Sequence, residues 1–211
     1  MEAVLDLYAQ PYDPAAPVVC FDEKPVVLHA DVLPPVLPAP GRVARQDYEY
    51  ERLGMANLLV FVEPLAGTRC LELTDHRTMQ DFAHALRWLV DEQYPEARVI
   101  RLVLDNLNTH TLAALYATFP PAEARRIAQR VELHFTPKHG SWLNMAEIEI
   151  SVLARGCLQR RVAGREMVWQ HLCVLAAERN AQRRTIHWRF STHDARFLLR
   201  DLYPTLTIKS D

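Results

Sequence analysis

The chain has 211 residues, 49% of them apolar and 24% charged, with a net charge of −2. That is enough for one domain with a buried core, and the balance excludes both a disordered chain and a uniformly basic nucleic-acid binder. No run reaches the roughly 18 apolar residues of a membrane span, the opening stretch lacks the basic residues of a secretory signal, and Cys20, Cys70, Cys157 and Cys173 form no Cys-x-x-Cys, which argues against a zinc site or disulfide framework and fits a reducing cytoplasm.

In chain order, residues 1–17 carry Pro11, Pro14 and Pro17 and read as an irregular lead-in. Residues 18–22 read as a strand and 25–30 as its hairpin partner. Residues 31–54 form a long connection in which Pro34, Pro35, Pro38 and Pro40 resist regular structure, with Tyr48 and Tyr50 as anchors. Residues 57–63 and 68–73 are strands joined by a turn at 64–67. Residues 78–94 have helical periodicity, with Met79, Phe82, Leu86, Leu89 and Val90 on one stripe and Pro95 as the stop. A β-branched run then ends on Asp105. Short helices are expected at 109–118 and 121–130, a strand at 131–135, and helices at 144–158 and 165–182. Ser191-Thr192-His193-Asp194 fits a capping box that opens a last helix. Three strands, then helices alternating with strands, describe an α/β fold with a mixed sheet.

Three acids close or follow such elements. Asp105 ends the strand of Leu-Val-Leu-Asp-Asn-Leu-Asn-Thr-His at 102–110, Asp22 ends Val18-Val19-Cys20-Phe21, and Glu147 opens a helix after Trp142-Leu143-Asn144-Met145-Ala146. Carboxylates at the rim of a sheet are where α/β proteins place chemistry, and oxygen ligands suit hard divalent cations. Each acid also has a plain structural reading. Asp22 fits a hairpin turn, Asp105-Asn106 fits a strand-to-helix turn, and Asn144 with Glu147 three residues on fits a capping box.

In this order the motifs resemble the DDE-type transposase catalytic domain of the ribonuclease-H-like superfamily, and more narrowly the mariner-like bacterial insertion-sequence group 630. The segments that carry the likeness are Val19-Cys20-Phe21-Asp22-Glu23-Lys24, residues 47–52, Leu65-Ala66-Gly67, 102–110 with Leu-Asp-Asn-x-x-x-His, and 134–147 with Trp-Leu-Asn-x-x-Glu. One departure is Arg52-Leu53-Gly54-Met55, where relatives read Arg-His-Gly-Thr. The other is the short lead-in, where full-length relatives carry helix-turn-helix modules. The chain is then a catalytic-domain fragment, a truncated copy, or the second product of a two-reading-frame element.

The resemblance implies a five-stranded ribonuclease-H-like domain over 18–160 with a helical extension over 161–211. It implies cleavage of DNA at transposon ends and strand transfer into target DNA, with Asp22, Asp105 and Glu147 holding two Mg²⁺ or Mn²⁺ ions about 4 Å apart. It implies DNA and a second copy of the chain as partners, with a separately encoded helix-turn-helix part and no membrane. Asn106, His110, Lys24 and Asn144 are candidates to support the acids. Lys138, His139 and Ser141, on the loop before Glu147, are candidates for the DNA backbone, and Trp142 is expected to anchor that loop. Arg155, Arg160 and Arg161 begin an arginine-rich stretch that continues through Arg165, Arg179, Arg183, Arg184 and Arg189, against only Glu166 and Glu178. Such a stretch suits a nonspecific, salt-sensitive phosphate contact. Glu23 is expected on the opposite face of its strand from Asp22, and Glu149 on another side of its helix from Glu147, so neither joins the triad. The competing reading is a catalytically silent DNA-binding or regulatory transposase fragment. A phosphatase of the haloacid-dehalogenase type fails, because Asp22-Glu23-Lys24 lacks the second Asp of Asp-x-Asp.

Overall fold

The computed structural model describes residues 1–45, 47–158 and 161–203. Its elements are α1 (Glu2–Tyr8), β1 (Val18–Asp31), β2 (Tyr50–Glu63), β3 (Thr68–Thr74), α2 (Met79–Trp88), β4 (Ile100–Leu104), α3 (Ala113–Thr118), α4 (Pro121–Ala128), β5 (Val131–Phe135), α5 (Ala146–Leu153), α6 (Arg165–Ala181) and α7 (Thr192–Leu198). The strands form one sheet in the order β3-β2-β1-β4-β5. β1, β2 and β3 pair antiparallel, whereas β4 lies parallel to β1 and β5 parallel to β4. This is the expected mixed sheet. No helix among the described residues is long and apolar enough to cross a membrane.

Alternation along the strands sends side chains to two separate cores. Cys20, Val60, Val62 and Val103 face α1, α5, α6 and α7 through Leu5, Leu153, Leu172 and Ala195. Val19, Phe21, Phe61, Leu102 and Leu104 face α2, α3 and α4 through Phe82, Leu86, Leu115 and Ile127. The α2 stripe is as expected, and a Thr78–Asp81 capping box starts it. The Ser191–Asp194 box opens α7.

Four expectations change. The lead-in is not irregular throughout: α1 buries Val4, Leu5 and Leu7 in the first core. Its prolines all follow the helix, so counting them over the whole segment hid a short apolar stripe. Residues 18–22 and 25–30 are not two hairpin arms but one 14-residue strand. Glu23-Lys24 offers no residue suited to the positive φ of a tight hairpin turn, and Pro25 lies beyond Cys20, the last residue paired with β4, where an open edge tolerates proline.

β2 begins earlier than expected, at Tyr50. It carries a bulge opposite Leu28 and His29, where Gly54 takes φ +138°. Within the long connection the bridges Val36–Arg45 and Ala39–Arg42 make a small hairpin. Tyr50 is an anchor, packed edge-on against His29 at 4.5 Å, but the Tyr48 side chain is exposed. The Asn144–Glu147 capping box does not form, because α5 starts two residues later and Asn144 turns inward.

Glu149, on α5, is fully buried. Arg179 of α6 donates to it twice, at 2.6 and 2.8 Å, and the Arg69 guanidinium of β3 stands 3.1 Å away. Asn180 exchanges backbone-like hydrogen bonds with Arg69, both at 2.9 Å. Helix α6 is thereby tied to the sheet edge and to α5 together. Removing one member of a buried ion cluster strands the others, at a cost of about 3–5 kcal/mol. Glu149→Ala is expected to lower unfolding free energy by about that much in urea titrations.

Candidate active site

Each of the three acids is delivered by a different element. Asp22 projects from β1, where strand pairing with β4 has just ended. Asp105 follows the last residue of β4, and Glu147 sits in the first turn of α5. Parallel β1 and β4 bring the first two side by side. The third is fixed by Asn144, whose buried amide donates to the Phe21 carbonyl at 2.7 Å and whose oxygen accepts from Ala146 N–H at 3.1 Å. One side chain thus clasps the start of α5 to the residue before Asp22.

Tyr8 makes a second clasp. Its hydroxyl donates to the Leu143 carbonyl at 2.8 Å and touches the Cys20 sulfur at 3.3 Å, and its ring packs on Trp188 at 5.6 Å. Trp188 stacks in turn on Trp142, which also meets Phe190 edge-on. Trp142 is therefore the loop anchor expected. Tyr8 was missed because its segment read as irregular; the Val4-Leu5-x-Leu7-Tyr8 pattern was the available signal.

The electrostatics of the site are felt most at Asp22. Burial pushes the Asp22 carboxyl up to about 6, opposed by the hydrogen bond it accepts from Glu23 N–H and reinforced by the charges of Asp105 and Glu147. Among the described residues neither Asp22 nor Glu147 has a Lys or Arg partner, whereas Glu149, two residues on, has two. The same chain gives two arginines to Glu149 and none to Asp22 or Glu147 among the described residues. As the side chains stand, no three His, Cys, Asp or Glu among the described residues are close enough to enclose an ion. The donor set is nevertheless all oxygen, anionic and part-exposed at Asp105, which fits a hard divalent cation and not a soft one.

His110 is 2% exposed and lies behind Asp105. Its Nδ1–H donates to Asp105 Oδ1 at 2.7 Å and its Nε2–H to Glu23 Oε1 at 3.2 Å. The hydrogen bond from His110 holds the Asp105 carboxyl below the usual carboxylate range. Burial alone would lower the His110 pKa, but the two carboxylates outweigh it and hold the ring up to about 9. Glu23 does point to the opposite face of β1 from Asp22, as expected. That face carries His110, so Glu23 belongs to the surroundings of the site after all. The clue was His110 itself, five residues past Asp105 and able to span two acids.

Asn106 is exposed beside Asp105, and Lys138, His139 and Ser141 are exposed on the loop before Glu147. His139 takes φ 62° there. Arg155 is exposed, and Arg160 lies outside the described residues. Arg161 corrects its expected role: it donates to Asp31 at 2.8 Å and to the carbonyls of Glu49 and Tyr48, with its guanidinium over the Tyr50 ring. It braces the long β1–β2 connection. Arg165 is likewise bound to Asp75 and Leu73, and Arg179 to Glu149. The arginine-rich stretch is partly internal bracing, a use that charge counting does not distinguish from a phosphate-binding face.

Residues 17–168 match the family model described as DDE superfamily endonuclease. Curated proteins yield no match. Among solved structures the chain is similar to the Mos1 mariner paired-end complex with Mn, at 16% identity and TM-score 0.52 over 87% of this chain and 59% of that one. It is similar to the Mos1 transposase paired-end complex with left transposon end, at 15% identity and TM-score 0.52 over 89% and 61%. It is similar also to the Mos1 strand transfer complex, at 14% identity and TM-score 0.53 over 88% and 59%. At these identities the likeness is one of fold, the ribonuclease-H-like sheet, and the chain spans about three fifths of the length of those chains.

A histidine held at about 9 against an ordinary value near 6.5 contributes stability that is complete below about 6.5 and is lost as pH rises through 9. In chelator, the chain is expected to lose up to about 3 kcal/mol between pH 6.5 and 9.5 relative to His110→Asn, as read from urea midpoints at each pH.

Proposed function

The chain belongs to the DDE superfamily endonucleases, and from that premise we propose that it is a transposase catalytic domain that cuts DNA strands at transposon ends and joins them to target DNA. The observation that supports this most is the set of Asp22, Asp105 and Glu147, drawn from three elements, with the charges of Asp105 and Glu147 felt at Asp22 and, among the described residues, no Lys or Arg on Asp22 or Glu147. The finer placement, in the mariner-like insertion-sequence group 630, rests on Leu104-Asp105-Asn106 with His110 and on Trp142-Leu143-Asn144 with Glu147.

In this reading Asp22, Asp105 and Glu147 hold two Mg²⁺ or Mn²⁺ ions. Bound there, the ions would activate a water or 3′-hydroxyl and stabilise the departing oxygen. The protein's own groups do the positioning. Asn144 and Tyr8 fix the Glu147 turn against β1, and His110 bonds one oxygen of Asp105 and so orients its carboxylate. Asn106 stands next to Asp105 at the rim, within reach of a ligand water. Lys138, His139 and Ser141 meet the DNA backbone beside the cut, and Arg155 contributes farther along. The partners are DNA, a second copy of the chain on it, and a helix-turn-helix part that supplies end recognition. A DNA-acting chain of this kind works in the cytoplasm, at the nucleoid.

With supercoiled or transposon-end DNA and Mn²⁺, this chain joined to its recognition part is expected to nick. Asp22→Ala, Asp105→Ala and Glu147→Ala should each abolish nicking while retaining the native circular dichroism spectrum. Nicking that survives these changes overturns the triad, and an intact assembly that never nicks overturns the enzyme. Lys138→Ala is expected to weaken binding of any DNA sequence and to reduce the slope of log K against log salt by about one.

A further inference from the structure

Glu23 has no part in the triad, yet it is placed where a bystander acid has no reason to be. Its side chain is 8% exposed, and burying a carboxylate is unfavourable without a partner. Among the described residues its side-chain partner is His110, at 3.2 Å. The His110 ring has little other freedom. It packs edge-on against Phe21 at 5.2 Å and tilted against Phe82 at 4.8 Å, and its backbone N–H donates to the Leu107 carbonyl at 2.9 Å. What those apolar neighbours leave undetermined is rotation about the ring's own axis. Two carboxylates, one on each ring nitrogen, remove it.

We propose that Glu23 is a positioning residue for the metal site: by accepting from His110 Nε2 it fixes the ring so that Nδ1 meets Oδ1 of Asp105, which, with the backbone hydrogen bond from Leu107, holds the Asp105 carboxylate in one orientation for the cation. This rests on the metal-site reading given above and extends it by one residue, through β1. Asp22 and Glu23 are consecutive on a strand and so point to opposite faces. One backbone segment therefore supplies a ligand on one face and, on the other, the support for the second ligand. Movement of β1 displaces both together, which keeps Asp22 and Asp105 in register.

The test is Mn²⁺ binding to the intact chain by titration calorimetry, without DNA. Glu23→Ala is expected to weaken binding about tenfold, the lower end of what removing such a supporting partner costs. Glu23→Met, which keeps the volume without the acceptor, should do the same and covers the case in which the alanine variant melts below the assay temperature. Glu23→Gln should restore most of the affinity, because its amide oxygen accepts the same hydrogen bond. In a His110→Ala background Glu23→Ala should add nothing further, because its route to Asp105 is gone. Unchanged affinity in Glu23→Ala and Glu23→Met, or an equal loss with and without His110, overturns the role of Glu23. Asp105→Ala separates the two levels: if it leaves Mn²⁺ binding unchanged, the metal-site reading itself falls, whatever Glu23 does.

Discussion

Burial of the Asp22 carboxyl beside the charges of Asp105 and Glu147 is the constraint on which the architecture turns. Loss of water raises the Asp22 pKa to about 6, and the two neighbouring charges add to the rise. The fold does not relieve this with arginine, although it does so for Glu149 with two. Stability has to come from elsewhere: from two apolar cores on the two faces of the sheet, and from a buried ion cluster that ties α5, α6 and β3 together. In the proposed function a cation would offset the charge left open at Asp22 and Glu147, so the same cost that opposes folding would favour metal binding.

Support for the acids comes from behind them and differs at each. Asn144 and Tyr8 use neutral hydrogen bonds to carbonyls, which fix backbone without altering charge. His110 uses both ring nitrogens on two acids, and so sets orientation and charge at once. Arg161 and Arg165 brace the connections outside the site. The residues left exposed near Glu147, among them Lys138 and Ser141, lie on a loop pinned at one end by Trp142 packing and at the other by its bond to the sheet, where Thr136 N–H donates to the Leu104 carbonyl at 2.9 Å.

The strands of the parallel half, the α2 stripe and the α7 cap were legible because local pattern and tertiary role agree there. The three candidate acids stand out in the sequence because each closes or follows a strongly patterned element. Other features needed tertiary knowledge. β1 runs straight through Glu23-Lys24-Pro25 because an open edge forgives the proline, and the edge exists only once the pairing of β1 with β4 is known to stop at Cys20. The role of α1 was masked by prolines that lie outside it. Asn144 could have capped α5 or clasped β1, and burial beside Phe21 decides for the clasp. Arginine count predicted a phosphate-binding stretch, but which arginines are free depends on where Asp31, Asp75 and Glu149 end up.

The most direct measurement is a crystal structure of the chain soaked in Mn²⁺, with the ion located by its anomalous scattering. The account predicts manganese between the carboxylates of Asp22, Asp105 and Glu147, with His110 still bonded to Oδ1 of Asp105. Manganese held instead by Glu23, by Glu149 or away from these three acids would contradict it.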